Sequence, residues 1–443
     1  MRLFKQVYLS INFFFALTLL IALFMLGYKL HMLFVVAQIL LVAFLLVVAV
    51  EVLILWRLKD GVLARRITPE RLSNGDANTI SIFIRNYYRL KIDLKVIDEL
   101  PAQFQVRDSV FELSVESGEE QVLNYDLRPT KRGNYEFGAV NVFASILSGL
   151  VVRRYQFDQN REVPVFPSFL QMQQFELMAF SQRLTGNGLK KVRRIGQTLE
   201  FEQVRDYVVG DDRKKINWKA TARRKDLMVN QYQDEKSQPI YCVIDKGRAM
   251  KMPFNGLTLL DYAINASLVL SNIALKKDDK AGIICFSNRV THILPAERKK
   301  LQMHSILQTL YDQKTAWQEP DFEKLALTIK TKIRQRSLLL FFTNYESIVS
   351  MRRHAQYLAK LAKDHLVVMI VFRNTEVDKL ARQKTETLKD IYTQTLAEKM
   401  NYEKKLVMRE LRKMGIQSIY TAPEALNTNV INKYLELKAR GLF

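Results

Sequence analysis

Two places in this 443-residue chain gather side chains that could do chemistry. The first is Asp245, which closes the apolar run Ile240 to Ile244. A carboxylate at the end of a buried strand can hold a cation through hard oxygen, or pair with an arginine and fix the strand end. The ion pair is the expected use, with Arg248 or an arginine of the preceding polar stretch as partner. That polar stretch, Gly196 to Tyr232, is the second place, and its polar and aromatic residues keep neither a helical nor a strand period for long. From Lys190 to Lys225 the chain carries twelve basic residues against five acidic ones. Asp206, Asp211 and Asp212 are therefore expected to partner buried or half-buried arginines, and any arginines left exposed would form a docking face for an acidic surface.

Other catalytic constellations are missing from the sequence. His31, His292, His304, His354 and His365 are scattered, without zinc spacing. The run Arg132 to Gly138 resembles a phosphate loop only superficially, since it lacks a following helix and a Lys-Ser or Lys-Thr ending. There is no Gly-x-Ser-x-Gly elbow, and Cys242 and Cys285 sit in short apolar runs that read as core strands with reduced thiols. Neither an enzyme nor a cofactor is expected.

The elements that position these residues can be read from hydropathy. Apolar runs from Tyr8 to Leu26 and Met32 to Trp56 are each near the ~20 residues needed to cross a bilayer. So short a connection, Gly27 to His31, makes residues 1–60 a transmembrane helical hairpin. Arg2, Lys5, Arg57, Lys59, Arg65 and Arg66 outnumber Lys29 at the tip, which places both ends and the soluble domains in the cytoplasm. The protein is expected in the cell inner membrane as a multi-pass protein, touching the lipid bilayer through two helices. Glu51 is expected to reach water or Arg57 from the end of the second run.

Residues 61–165 alternate with period two between turn signals at Ser73 to Asp76, Ser117–Gly118 and Lys131 to Asn134. About seven strands of this kind predict an immunoglobulin-like β-sandwich. Residues 166–236 form a linker and the polar stretch, in which Gly210 permits a turn and Asp211 or Asp212 caps a short helix over Lys214 to Arg224. On that helix Ile216, Ala220 and Arg223 share one side. Residues 237–443 alternate apolar runs with helical patterns, which predicts an α/β doubly wound, mainly parallel, Rossmann-like sheet. The charged segment Asp378 to Met414 reads as one or two solvated helices.

One ordered set of residues carries a resemblance. Arg205, Asp206, Tyr207, Gly210, Asp211, Asp212, Arg213, Ile216, Asn217, Trp218, Lys219, Ala220, Thr221, Ala222 and Arg223, with Glu235 downstream, is similar to the signature of domain-of-unknown-function family 58. That family comprises bacterial membrane-anchored proteins with a von Willebrand A-like domain, and the resemblance covers the chain from about Arg65 onward. It implies such a domain over 237–443. It also implies a protein partner, a MoxR-type AAA+ ATPase, for which the chain would act as a scaffold or adaptor in protein assembly or stress tolerance. Arg205, Asp206, Tyr207, Gly210, Asp211, Asp212, Arg213, Asn217, Trp218, Lys219, Ala220 and Arg223 are then the candidate docking residues.

The same resemblance points to the metal position of von Willebrand A domains, an Asp-x-Ser-x-Ser run with a later threonine and aspartate. Here the run reads Asp245, Lys246, Gly247, Arg248, Ala249, so both hydroxyls are lost. Asn344 stands where an aspartate is expected, and Pro320 and Asp321 occupy the middle loop. A degenerate site of this kind predicts no bound metal. The alternative function is a basic binder of nucleic acid or anionic lipid, from the formal net charge of +22. Basic residues spread without interleaved aromatics make nucleic acid the less expected partner.

Overall fold

The computed structural model describes residues 6–28, 31–106, 109–180, 200–208, 216–224, 226–233, 237–384 and 386–442. Gly210, Asp211, Asp212 and Arg213 lie outside the described residues. The chain divides into two compact units, Met1–Phe166 and Pro167–Phe443.

The first unit opens with strand β1 (Val7–Leu9) and helices α1 (Ile11–Gly27) and α2 (His31–Arg57). Met32–Arg57, with a mean hydropathy of 3.1, is long and apolar enough to cross a membrane, while α1 is shorter. The first apolar run therefore starts as a strand, since Val7, Tyr8 and Leu9 pair with a distant strand before the chain turns helical at the Ser10 cap. Ten strands follow: β2 (Val62–Ile67), β3 (Leu72–Ser73), β4 (Asn78–Asn86), β5 (Ile92–Asp98) and β6 (Val110–Val115), then β7 (Glu120–Leu127), β8 (Gly133–Phe137), β9 (Val140–Ser145), β10 (Val151–Phe157) and β11 (Arg161–Phe166).

They form one five-stranded sheet, β1-β10-β9-β5-β6, and two three-stranded sheets, β2-β4-β7 and β3-β11-β8. Alternation decides the faces: in β4 Ile80, Ile82 and Ile84 point inward, while Thr79 and Ser81 point out and bond to Asp126 and Asn124 across the strand pair. Ile82 and Ile84 pack with Leu94, Val96, Val142 and Ala144 of the five-stranded sheet, which makes the unit a β-sandwich. Its eleven strands exceed the expected seven; β1 joins from the first apolar run, and the two-residue β3 pairs in parallel with β11 at the margin.

Glu51 corrects its sequence reading. It is fully buried: Oε1 accepts from the amide of Ser148 at 3.0 Å and its hydroxyl at 2.7 Å, and Oε2 from the amide of Val151 at 2.9 Å. A carboxylate inside an apolar helix is tolerable when donors meet both oxygens, and a turn of the sandwich supplies them. Arg153 completes the joint by donating to the carbonyl of Leu55 in the last turn of α2 and to those of Leu58 and Lys59 just beyond it. Its guanidinium also lies over the Trp56 and Tyr155 rings.

The second unit begins with α3 (Phe169–Phe180), β12 (Glu200–Asp206), α4 (Trp218–Arg224) and β13 (Met228–Gln233). The sheet strands and their helices then alternate: β14 (Pro239–Asp245), the two-residue strands β15 (Pro253–Phe254) and β16 (Leu257–Thr258), α5 (Leu259–Lys276), β17 (Lys280–Phe286), β18 (Val290–Glu297), α6 (Gln302–Tyr311), α7 (Phe322–Lys332), β19 (Leu338–Thr343), α8 (Ile348–Asp364), β20 (Leu366–Phe372), α9 (Thr375–Leu380), α10 (Leu388–Lys413), β21 (Gln417–Thr421) and α11 (Leu426–Ala439). The six-stranded sheet runs β18-β17-β14-β19-β20-β21, parallel except for the edge strand β18.

Strand β14 is buried along its whole length, as a parallel strand covered on both faces must be. Ile240, Cys242 and Ile244 face α5, α6 and α11, while Tyr241 and Val243 face α7, α8 and α10. Both cysteines are free and buried. Chain order reverses between β14 and β19, and in such sheets that reversal opens a crevice at the carboxyl ends of the strands.

Candidate functional site

Asp245 is delivered to that crevice by the last residue of β14 and is 1% exposed. Its Oδ1 accepts the Gly247 amide at 2.7 Å and its Oδ2 the Thr343 hydroxyl at 2.7 Å. The expected ion pair with Arg248 or an upstream arginine is not formed among the described residues. Asp245 bends back onto its own turn, and the end of β19 supplies the second donor. Burial pushes its carboxyl up to about 6, against the opposing pull of Thr343 and Gly247.

Around it lies a cavity of about 70 Å³ lined by Thr343, Asn344, Tyr345, Glu319, Ser350 and His354 among others. The Tyr345 hydroxyl and His354 Nδ1 are buried and have no hydrogen-bond partner among the described residues. Burial, reinforced by Asp245, holds the Tyr345 hydroxyl well above the usual phenol range. His354 is stacked on Phe322 at 4.4 Å between ring centroids, and burial, then Arg353, lower its pKa.

One residue here escaped sequence reasoning. Lys404, on α10, donates to Asn344 Oδ1 and to the Tyr345 carbonyl. Burial lowers its ammonium to about 8. Next to it Glu403 accepts the amide of Ile348 at the start of α8 at 2.9 Å. No local signal marks this pair, because it sits in a solvated-looking charged helix and reaches loops about sixty residues earlier.

The donor set does not fit a hydrated divalent ion. Both oxygens of Asp245 are already bonded, Gly247 and Ala249 carry no side-chain oxygen, and an ammonium bonds the amide oxygen of Asn344. The glycine has a steric reason: a Cβ at Gly247 would meet Pro320 Cδ at 2.8 Å and Asp245 Oδ1 at 2.9 Å. The loop that carries Pro320 closes over the strand end, where the Ala316 amide donates to the Lys246 carbonyl at 2.7 Å. It presents Trp317, 71% exposed, with Lys251 Nζ 3.4 Å from its ring centroid.

The polar stretch folds as an antiparallel hairpin of β12 and β13, with Arg205 opposite Val229 and Asp206 opposite Met228. The short helix starts at Trp218, not Lys214, and Asn217 opens it. Its Oδ1 accepts the Ala220 amide at 3.0 Å, and its Nδ2 donates to Asn230 at 2.8 Å. The Asn217 amide donates to the Met228 carbonyl at 2.9 Å, and the Thr221 hydroxyl accepts the Met228 amide at 3.0 Å. Ile216 lies outside the helix, bridged to Val229. Asp206 is exposed, and among the described residues it makes no ion pair.

Arg205 is half-buried, and its guanidinium donates to the Asp206 carbonyl at 3.2 Å. Tyr207 is half-buried with its amide on the Leu227 carbonyl at 2.8 Å. The hairpin thus gathers Asn217, Ala220 and Thr221 inward and leaves Trp218, Lys219, Arg223 and Arg224 exposed.

A family model described as protein of unknown function DUF58 matches residues 203–412, a span that includes most of the hairpin and the strand-end crevice. The uncharacterized protein YeaD of Bacillus subtilis is 25% identical over 124 residues, covering 28% of this chain and 31% of its own length. The chain thus matches less than a third of that relative. Among solved structures, native alpha-2-macroglobulin from Escherichia coli, spanning domain MG7 to the C-terminus, is similar over 24% of this chain and 16% of that one, at 20% identity and a TM-score of 0.21. The CARDB domain of a Pyrococcus furiosus protein covers 24% of this chain and 94% of its own, at 14% identity and a TM-score of 0.17. The matched span holds the strand-end crevice and most of the signature hairpin, and it supports assigning the chain to the DUF58 family of proteins of unknown function.

Proposed function

We propose that this protein is a membrane-anchored scaffold that carries a von Willebrand A-like domain and recognises another protein without catalysis. The observation that carries the reading is Trp218, 69% exposed at the head of a short helix beside Lys219, Arg223 and Arg224. The hairpin's internal bonds run through Asn217 and Thr221, and none among the described residues uses the indole. An exposed aromatic on a short helix that also exposes three cations is the composition of an interface anchor for an acidic partner. The partner class implied by the resemblance is a MoxR-type AAA+ ATPase.

The von Willebrand A-like reading draws support from the strand order and from Asp245 at the switch point. With a donor set unsuited to a metal, the crevice would bind through side chains such as Trp317 and Lys251 and not through a bridging ion. The anchor is α1 with α2, a hairpin whose flanking arginines and lysines favour a cytoplasmic location for both units, in the bacterial inner membrane.

Co-purification from detergent-solubilised membranes tests the reading. Wild-type chain should retain a partner that Trp218→Ala and the double reversal Arg205→Glu, Arg223→Glu both lose. An identical set of bound proteins in all three preparations removes the docking face from the argument.

A further inference from the structure

Three parts of the first unit meet at one level along the apolar helices. With 17 residues, α1 is ~26 Å long, so its start lies level with Val47 and Val48 when the same rise is counted along α2 from His31. Glu51 is one turn further on, close to where ~20 residues of α2 would complete the ~30 Å hydrocarbon layer. There the Ser10 amide donates to the Leu150 carbonyl at 3.0 Å, Leu9 pairs with Val151, and Glu51 holds Ser148 and Val151. The turn from Ile146 to Leu150 is therefore pinned by the entry of one helix and the carboxylate of the other.

Its apex presents a leucine. Ile146 and Leu150 are buried on either side, while Leu147 is 67% exposed and held at a φ of 54°, a conformation that side chains other than glycine seldom adopt. Leu9, Ile11 and Leu53 are exposed near the same level. A branched apolar side chain in a disfavoured backbone, aimed outward beside a helix long enough to span a membrane, fits the boundary between head groups and acyl chains.

We propose that the Ile146 to Leu150 turn is a bilayer-contact site, with Leu147 inserted at that boundary, so that the sandwich sits at a fixed depth and does not swing on a tether. This rests on the reading that α1 and α2 cross the bilayer.

The experiment uses the full chain in phosphatidylcholine–phosphatidylglycerol vesicles, with an environment-sensitive fluorophore on Leu147→Cys. Leu45→Cys, midway along α2, reports the span, and Val122→Cys, exposed on β7, reports water. Cys242 and Cys285 are buried, and an unsubstituted sample gives their background. The expected result is that nitroxide lipids labelled near the head group quench the Leu147 probe more than those labelled deep in the chain. Aqueous iodide should quench it several-fold less than the Val122 probe. Iodide quenching equal to that at Val122, with the Leu45 probe quenched by deep nitroxides, overturns the contact and leaves the span standing. Iodide access at Leu45 overturns both. A Leu147 probe shielded from iodide and from every nitroxide lipid also overturns the proposal, because protein then covers the turn.

Discussion

Glu51 accepts three hydrogen bonds from a turn about a hundred residues away, whereas Asp245 accepts two, one from its own turn and one from the neighbouring strand. Both carboxylates are buried, so each must be met by donors or take up a proton. In the first unit the donors fasten a helix to a sandwich, and the group serves architecture. In the second, fewer donors and an adjoining cavity, where the Tyr345 hydroxyl finds no partner among the described residues, leave the carboxylate only partly compensated. A sequence shows neither environment, since both residues read as a lone acid at the end of an apolar run.

Removing the better-satisfied group should cost more. Glu51→Ala leaves the amides of Ser148 and Val151 without their acceptor, at about 1–3 kcal/mol each. Thermal unfolding in detergent should show a larger drop than any single substitution at Asp245, Gly247 or Thr343 produces, and Glu51→Gln should recover part of it. An unchanged Tm for Glu51→Ala would mean that the joint is not held by this carboxylate.

The second prediction concerns pH. Asp245 titrates near 6 when folded, against about 4 in an unfolded chain, so the folded state holds the proton more tightly. Its contribution is therefore greatest at low pH and declines as pH rises from about 4 to about 6, by on the order of 3 kcal/mol in total. Asp245→Asn lacks that decline. Relative to wild type the variant should gain stability between pH 4 and pH 7, read as a rising difference in Tm; a flat difference would place the titration elsewhere.

Much of the architecture was legible because burial imposes period. The inward isoleucines of β4 and the continuous apolar runs in β14, β19 and β20 announce a half-buried strand and a two-sided parallel sheet. The edge strand β18 was not legible, since Thr291, His292 and Pro295 break any apolar run and its outer edge needs none. Strand β1 was hidden inside an apolar run, as three residues carry no period. The site was legible only as a location. Asp245 and its defective loop could be named, but Thr343 and Lys404 come to it from the far ends of other elements, across 98 and 159 residues respectively, the latter joined through Asn344. Asn217 was missed as the helix cap because aspartates upstream offered a nearer choice.

A third substitution asks whether the crevice can be restored. Gly247→Ser returns a hydroxyl to the loop, but its Cβ meets a proline ring and the Asp245 carboxylate, neither of which can swing aside freely. Overpacking at such a position costs about 2 kcal/mol. The variant should melt earlier than wild type, and added magnesium should not bring it back; a magnesium-dependent recovery would show that the loop has kept the capacity to bind metal.

The finest comparison deletes one hydroxyl donor at each carboxylate. Ser148→Ala leaves Glu51 two backbone amides, so the loss should be about 1 kcal/mol. Thr343→Val keeps the shape of the side chain but leaves Asp245 with the Gly247 amide alone, and should cost about 1 kcal/mol more. Because the Thr343 hydroxyl lowers the Asp245 pKa, its removal should also move the pH-dependent fall in stability above 6, a change that Ser148→Ala cannot produce. If the two variants lose the same stability and the profile of Thr343→Val stays in place, donor number does not separate the two sites, and the difference must come from the packing around each carboxylate.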